Sequence, residues 1–258
     1  MKNFLLFLDF DGVICNSVLE CLYSATIAYF VKYQKSTIQS LPLSFKERFL
    51  SIRPYIRTGE DYVVLADLAY KEIGVKSQEE FDKQLNSHSK EELKVFRELF
   101  YQTRRELLEK DFSFWMELNP LYEGLKDTLQ NVSDSQKVYI LSTKAADLIE
   151  RILHFHGVDW PKERILYSNQ FSKKEIIQSL LVKGMGAQAI LVDDQLDHLL
   201  SAKEENKVIP YLATWGYIKP EWKEDPRVST LSLEGFRNLL SRFSHLTLDP
   251  KGNDMHPA

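Results

Sequence analysis

An unbroken apolar run, Phe4-Leu5-Leu6-Phe7-Leu8, ends at once in Asp9-Phe10-Asp11-Gly12. A short run with no polar alternation fits a strand buried on both faces, the situation of a central strand in a parallel sheet. Three similar runs, Val138 to Leu141, Ala189 to Val192 and Val208 to Ala213, and a weaker one from Arg164 to Tyr167, come much later in the chain. Helical patterns follow two of them. Ala145 to His156 carries Leu148, Ile149, Ile152, Leu153 and Phe155 and stops at Gly157, and Leu196 to Glu205 carries Leu199, Leu200 and Ala202. Strands alternating with helices predict βαβ units and an α/β fold, a Rossmann-like parallel sheet flanked by helices.

Residues 18–118 read differently. Leu19 to Tyr33, Tyr62 to Ile73, Gln78 to Leu85 and Glu91 to Leu108 are amphipathic at helical spacing, and strand signals are few. This predicts an all-helical domain inserted into an α/β core made of residues 1–17 and 119–248, with hinges near Asn16 and near Asn119-Pro120. Residues 249–258 are polar, contain Pro250 and Pro257, and read as a flexible tail. A length of 258 residues accommodates one large domain or a core with such an insertion.

Composition narrows the partners. The 33 Lys and Arg against 37 Asp and Glu give a net charge of −4, and no dense basic stripe stands out, so nucleic acid and membrane surfaces are not expected partners. Cys15 and Cys21 are too few for a disulfide framework or a zinc site. The apolar run at Phe4 is shorter than the ~7–15-residue core of a signal peptide or a ~20-residue membrane span. The expectation is a cytoplasmic chain, monomeric or homodimeric.

Open α/β sheets bind ligands beyond the carboxyl ends of their strands. The first strand ends in Asp9 and Asp11, the second in Ser142, Thr143 and Lys144, and the run Ala189 to Val192 in Asp193 and Asp194, with Lys173 and Lys174 opening the helix before it. Carboxylates, hydroxyls and a lysine at one sheet edge suit a hard cation and a phosphoryl group. Singly, each has an ordinary explanation: Ser142 as the cap of the helix at Ala145, Asp193-Asp194 as a turn after a strand. Their shared position is what favours a site. Asp9 and Asp11, two apart, point to the same side of an extended strand, and Gly12 allows a phosphate close to the backbone.

This pattern resembles the haloacid dehalogenase superfamily of phosphohydrolases, in its subfamily with a helical cap inserted after the first strand. Asp9-Phe10-Asp11-Gly12-Val13 is similar to the nucleophile motif, Asp-x-Asp-Gly followed by Thr or Val. Ser142 matches the second motif, with Thr143-Lys144 where many relatives have Asn-Lys; Lys173 or Lys174 matches the third, and Asp193-Asp194 the fourth. Thr214-Trp215-Gly216-Tyr217 resembles the phosphoglycolate phosphatase-like branch. Two positions depart from the pattern: the proline that commonly flanks the motif lysine is missing, and His198 stands where many relatives carry an Asp.

The resemblance implies that Asp9 is the nucleophile that becomes an aspartyl-phosphate, and that Asp11 is the acid and base. It implies that Ser142 binds a phosphoryl oxygen with Gly12 and Thr143 beside it, and that Lys173 offsets the crowded negative charge. Mg²⁺ would be held by Asp9, the Asp11 carbonyl and Asp194, with Asp193 as a further or outer ligand. In the helical segment, Arg53 and Arg57 within Arg53-Pro54-Tyr55-Ile56-Arg57-Thr58-Gly59-Glu60 suit a substrate carboxylate or second phosphate; the competing expectation is a surface salt bridge with Glu60 or Asp61. The function implied is a Mg²⁺-dependent phosphatase acting on a small phosphate ester, phosphoglycolate-like or a sugar or nucleotide monophosphate. A sugar-phosphate mutase of the same fold and a non-catalytic binding or regulatory protein on that scaffold are the alternatives.

Overall fold

The computed structural model describes residues 3–36, 41–168, 171–203 and 207–244. The apolar run that opens the chain forms strand β1 (Phe4–Leu8), and Leu5, Leu6, Phe7 and Leu8 have no exposed surface. After it come β2 (Val138–Ser142), β3 (Ile165–Tyr167), β4 (Gln188–Asp193), β5 (Val208–Ala213) and β6 (Ser229–Leu231). They pair in the order β3-β2-β1-β4-β5-β6, every pairing parallel. Parallel neighbours require crossover connections, so helices cover the faces, and neither β1 nor β2 presents an exposed polar side chain.

Register fixes which residues end together. Leu8 is paired with Ile140 on one side and Val192 on the other, so Asp9, Ser142 and Asp193 all stand at the carboxyl edge. From β1 the chain builds outward to β2 and β3, then returns to place β4 on the opposite flank of β1. The strand order reverses between β1 and β4, and it is beyond the carboxyl ends of strands at such a point that open α/β sheets bind ligands.

Leu5, Phe7, Tyr139, Leu141, Ala189, Leu191 and Leu212 share one face of the sheet and pack on Ile177, Leu199 and Ala202 from the helices Lys173–Val182 and Leu196–Lys203. Alternation turns Leu6, Leu8, Ile140, Ile190 and Val192, all buried, to the other face. Burying one such Leu or Phe contributes about 1.5–3 kcal/mol. β6 is the strand with no sequence expectation behind it: Ser229-Thr230-Leu231 is short, at the sheet edge and partly exposed, and so has no apolar run.

The chain divides into two compact units, Met1–Asn16 with Pro120–Ala258, and Ser17–Asn119. The second unit is helical in its described residues, with helices Val18–Thr26, Phe45–Ile52, Gly59–Tyr70, Gln78–Asn86, Lys90–Lys110 and Phe112–Glu117. Its interior is rich in aromatic rings, such as Tyr62 stacked on Phe100 at 4.9 Å, with Phe49, Phe81 and Phe96 buried around them. A buried ion pair ties its first helix to its longest. Arg104 donates to Glu20 through Nε at 2.8 Å and Nη2 at 2.6 Å, and Ser24 Oγ donates to the same carboxylate at 2.7 Å, so no charge there is left uncompensated.

The periodicity from Leu19 to Tyr33 predicts one continuous helix, but the α-helix ends at Thr26 and Ile27–Tyr33 is a π-helix, with Gln34 N donating to Tyr29 O at 2.9 Å. The wider winding keeps Ala28, Tyr29 and Phe30 in the interior. Glu205 and the tail at 249–258 lie outside the described residues. No helix among the described residues is long and apolar enough to cross a membrane.

Candidate active site

Asp9 extends β1 by one residue, its N–H donating to Val192 O on β4 at 2.9 Å. The backbone then folds back on itself. Ile14 N and Cys15 N both donate to Phe10 O, at 2.9 and 2.8 Å, and Gly12 N donates to Cys15 O at 2.9 Å. Gly12 sits at φ +85°, and a Cβ there would lie 2.1 Å from Asp194 Oδ2. Gly216, in the loop after β5, is confined in the same way: a Cβ would come within 2.4 Å of Gly12 O and 2.5 Å of Asp194 Cβ. Two glycines therefore let two backbone segments close on the Asp194 carboxylate.

The loop after β5 completes this clamp. Tyr217 N donates to Asp194 Oδ2 at 2.8 Å, and Trp215 Nε1 donates to Val13 O at 3.0 Å while its ring stacks on Phe236 at 5.1 Å. Trp215 is thus a packing residue. Tyr217 Oη donates to Asn16 Oδ1 at 3.0 Å.

A second cluster lies around Lys173, the first residue of its helix, where Ser172 and Glu175 form a capping box. Lys173 is buried, and its Nζ lies 2.7 Å from Asp193 Oδ2 and 3.0 Å from Asp9 Oδ1. Asp193 is fully buried; its Oδ1 accepts from Gln195 N at 2.9 Å, and His198 Nδ1 stands 3.1 Å from Oδ2. Burial alone would raise the Asp193 carboxyl, but Lys173 and His198 outweigh it and hold Asp193 well below the usual carboxylate range. For Asp9 the balance goes the other way: burial pushes it up, with Asp193 adding to the rise, and Lys173 only partly restores it. Burial would lower the Lys173 ammonium, and the two carboxylates more than reverse that, keeping it charged.

Asp11 is paired separately. Lys144 Nζ donates to its Oδ1 at 2.8 Å. With all four ionised, the carboxylates of Asp9, Asp11, Asp193 and Asp194 exceed the ammonium groups of Lys144 and Lys173 by two negative charges, which one divalent cation would offset. Asp9, Asp193 and Asp194 each offer an oxygen within 4.8 Å of the others. Asp9 Oδ1 is buried and, beyond its ion-pair contact with Lys173, makes no well-directed hydrogen bond. An all-oxygen, net-negative donor set with such a lone carboxylate oxygen fits Mg²⁺.

Of the residues singled out in the sequence, Asp9, Asp11, Gly12, Lys173, Asp193 and Asp194 converge here. Ser142 ends β2, buried, and its Oγ accepts from Lys144 N at 3.3 Å; it does not cap the following helix, whose N-cap is Ala145. Thr143 is exposed beside it, and Lys174 is half-buried. Arg53 and Arg57 belong to the helical unit. There Arg53 is buried with its guanidinium 5.3 Å from the Tyr62 ring. Arg57 does not pair with Glu60 or Asp61 through its side chain: its Nη1 lies 3.2 Å from Asp82 Oδ1, Glu60 is taken by Arg97, and only the Arg57 backbone N–H reaches Asp61, as part of the Thr58 cap. The contacts of Lys144, His198 and Tyr217 N were not foreseen from sequence. The one signal for the first was a lysine two residues past a strand-ending serine.

No family model matches this chain, and no curated protein matches it. Solved structures do. A haloacid dehalogenase-like family hydrolase from Streptococcus pneumoniae superposes with a TM-score of 0.59 at 17% identity, covering 94% of this chain and 100% of that one. A protein described as a predicted phosphoglycolate phosphatase, from Haemophilus somnus, gives 0.60 at 19% identity over 94% and 98%. A hydrolase from Pseudomonas syringae gives 0.57 at 13% over 93% and 99%. The chain thus has the haloacid dehalogenase-like fold.

Proposed function

We propose that this protein is a Mg²⁺-dependent phosphatase of a small phosphorylated metabolite, working through an aspartyl-phosphate on Asp9. The observation that carries this reading is the convergence of Asp9, Asp11, Lys173 and Asp194 at the point where strand order reverses. Phosphoryl transfer needs an in-line nucleophile and compensation of charge, and little else. In the first step a carboxylate oxygen of Asp9 attacks phosphorus, the bond from phosphorus to the ester oxygen breaks, and that oxygen takes a proton from Asp11 and departs as the alcohol. In the second, water attacks the phosphoryl group and gives a proton to Asp11, the bond to Asp9 breaks, and inorganic phosphate leaves with both carboxyls restored.

Ser142 and the backbone around Gly12 would bind phosphoryl oxygens, and Lys173 would hold Asp9 in place. Asp9, Asp194 and the Asp11 carbonyl would hold Mg²⁺, which supplies charge neutralisation on the transferred group. Asp193, with its oxygens engaged by Lys173, His198 and Gln195, fits the role of an anchor for Lys173 or an outer ligand. Substrate choice is assigned to the helical unit, with Arg53 or Arg57 as the anion-binding group; Arg57 would first have to leave Asp82.

Phosphate release from 2-phosphoglycolate, sugar phosphates and nucleoside monophosphates, with Mg²⁺ and with chelator, tests this. Metal-dependent release concentrated on one ester is expected. Metal binding without release from any ester would contradict it.

A further inference from the structure

The two buried lysines of the site pair with three of its four carboxylates: Lys173 lies on Asp9 and Asp193, Lys144 on Asp11. The Lys144 side chain is 1% exposed, that of Asp11 24%. A lysine loses hydration and much rotamer freedom when it is buried, so it is held there by what it contacts. Those contacts are specific. Its N–H is bonded to Ser142 Oγ, its Nζ lies 5.8 Å from the Phe10 ring centroid, and its ammonium is 2.8 Å from Asp11 Oδ1. Asp11 is the most exposed carboxylate of the ion-paired set and sits on the turn beyond the strand rather than within it, so its side chain is not fixed by the sheet.

We propose that Lys144 is the positioning residue for Asp11: by holding Oδ1 it fixes the plane of the carboxyl, and the proton passed to the leaving oxygen is carried on Oδ2. This rests on the phosphatase reading above and adds to it a residue that acts through Asp11 and not on the phosphoryl group. The proton moves from Asp11 to the ester oxygen as that oxygen parts from phosphorus; Lys144 keeps its own protons throughout. Such a residue matters most where the leaving group needs protonation.

The test compares phenyl phosphate, whose leaving oxygen needs a proton, with 4-nitrophenyl phosphate, which leaves as a stable anion. In Lys144→Met, kcat is expected to fall roughly 30-fold on phenyl phosphate and about 3-fold on 4-nitrophenyl phosphate, with KM nearly unchanged. Adding Lys144→Met to Asp11→Asn should cause no further loss on phenyl phosphate, because the partner is already gone. If Lys144→Met does not fold, Lys144→Gln closes the same cycle. Equal losses on the two esters, additive losses in the double variant, or a rise confined to KM would each overturn the inference while the phosphatase reading stands. No turnover by the unmodified protein on any ester would overturn both.

Discussion

Lys173 Nζ lies 2.7 Å from Asp193 Oδ2, both groups buried at the edge of the sheet. The pair brings a lysine from a helix N-terminus under the carboxyl ends of β1 and β4, where it also meets Asp9. Removing one partner of a buried ion pair leaves the other charge uncompensated, at a cost of about 3–5 kcal/mol. Lys173→Met should therefore lower both thermal stability and kcat, the latter at least ~100-fold. Unfolding curves and initial rates check this; an unchanged melting temperature would contradict it.

Asp9→Asn should abolish turnover and leave the fold intact. The raised pKa of Asp9, due first to burial, means that its ionised form is disfavoured in the folded state. Such a group stabilises the fold below its unfolded pKa, and that contribution is lost as pH rises through the folded value. At neutral pH without metal, the neutral amide should thus raise the melting temperature while phosphate release disappears. Calorimetry and a phosphate assay on the same preparation read both effects.

Mg²⁺ affinity should weaken as pH falls, starting at a higher pH than it would with an unshifted carboxylate at this position. Protons compete with the metal for Asp9, whose pKa is raised above 3.8, whereas Asp193, held down by Lys173 and His198 against burial, stays ionised. The stability that Asp193 contributes is present above pH 3.8 and lost only as pH falls toward its depressed folded value. Titration calorimetry with Mg²⁺ at pH 7.5 and about pH 5 is the check; equal affinities would contradict the assignment of Asp9 as a ligand.

Gly12→Ala should damage the site through Asp194. The new Cβ meets Asp194 Oδ2 at 2.1 Å in a left-handed backbone, so the carboxylate must move, and the strain adds about 1–3 kcal/mol. Reduced Mg²⁺ affinity together with a lower melting temperature is the expected result, whereas an alanine at exposed Gly74, with nothing within 4 Å, should leave metal affinity unchanged.

Legibility in the sequence followed burial. β1 could be read because a strand covered on both faces leaves a run without polar residues, and Asp9 and Asp11 stand out against it. β6 could not, being short and at the edge, and neither could the π-helix, since the aromatic residues of Ile27–Tyr33 keep a helical spacing that does not report the winding. The site's positions were visible as strand ends, but its pairings were not. Lys144 and Asp11 are separated by 133 residues and meet only because β1 and β2 are neighbours in register. His198 looked like a departure from a family pattern; in the fold it stands against the Asp193 carboxylate beside Lys173. Arg57 finds Asp82, on another helix, over the nearer Glu60, which Arg97 holds.

In the proposed reaction Asp9 carries the phosphoryl group. Mixing the protein with 4-nitrophenyl phosphate and Mg²⁺, quenching in acid within the first turnover and locating any added mass by peptide mass spectrometry tests this. One phosphoryl group on the peptide containing Asp9, absent in Asp9→Asn, is the predicted result. Full turnover with no phosphoryl group on that peptide, or its appearance on another residue, would contradict it.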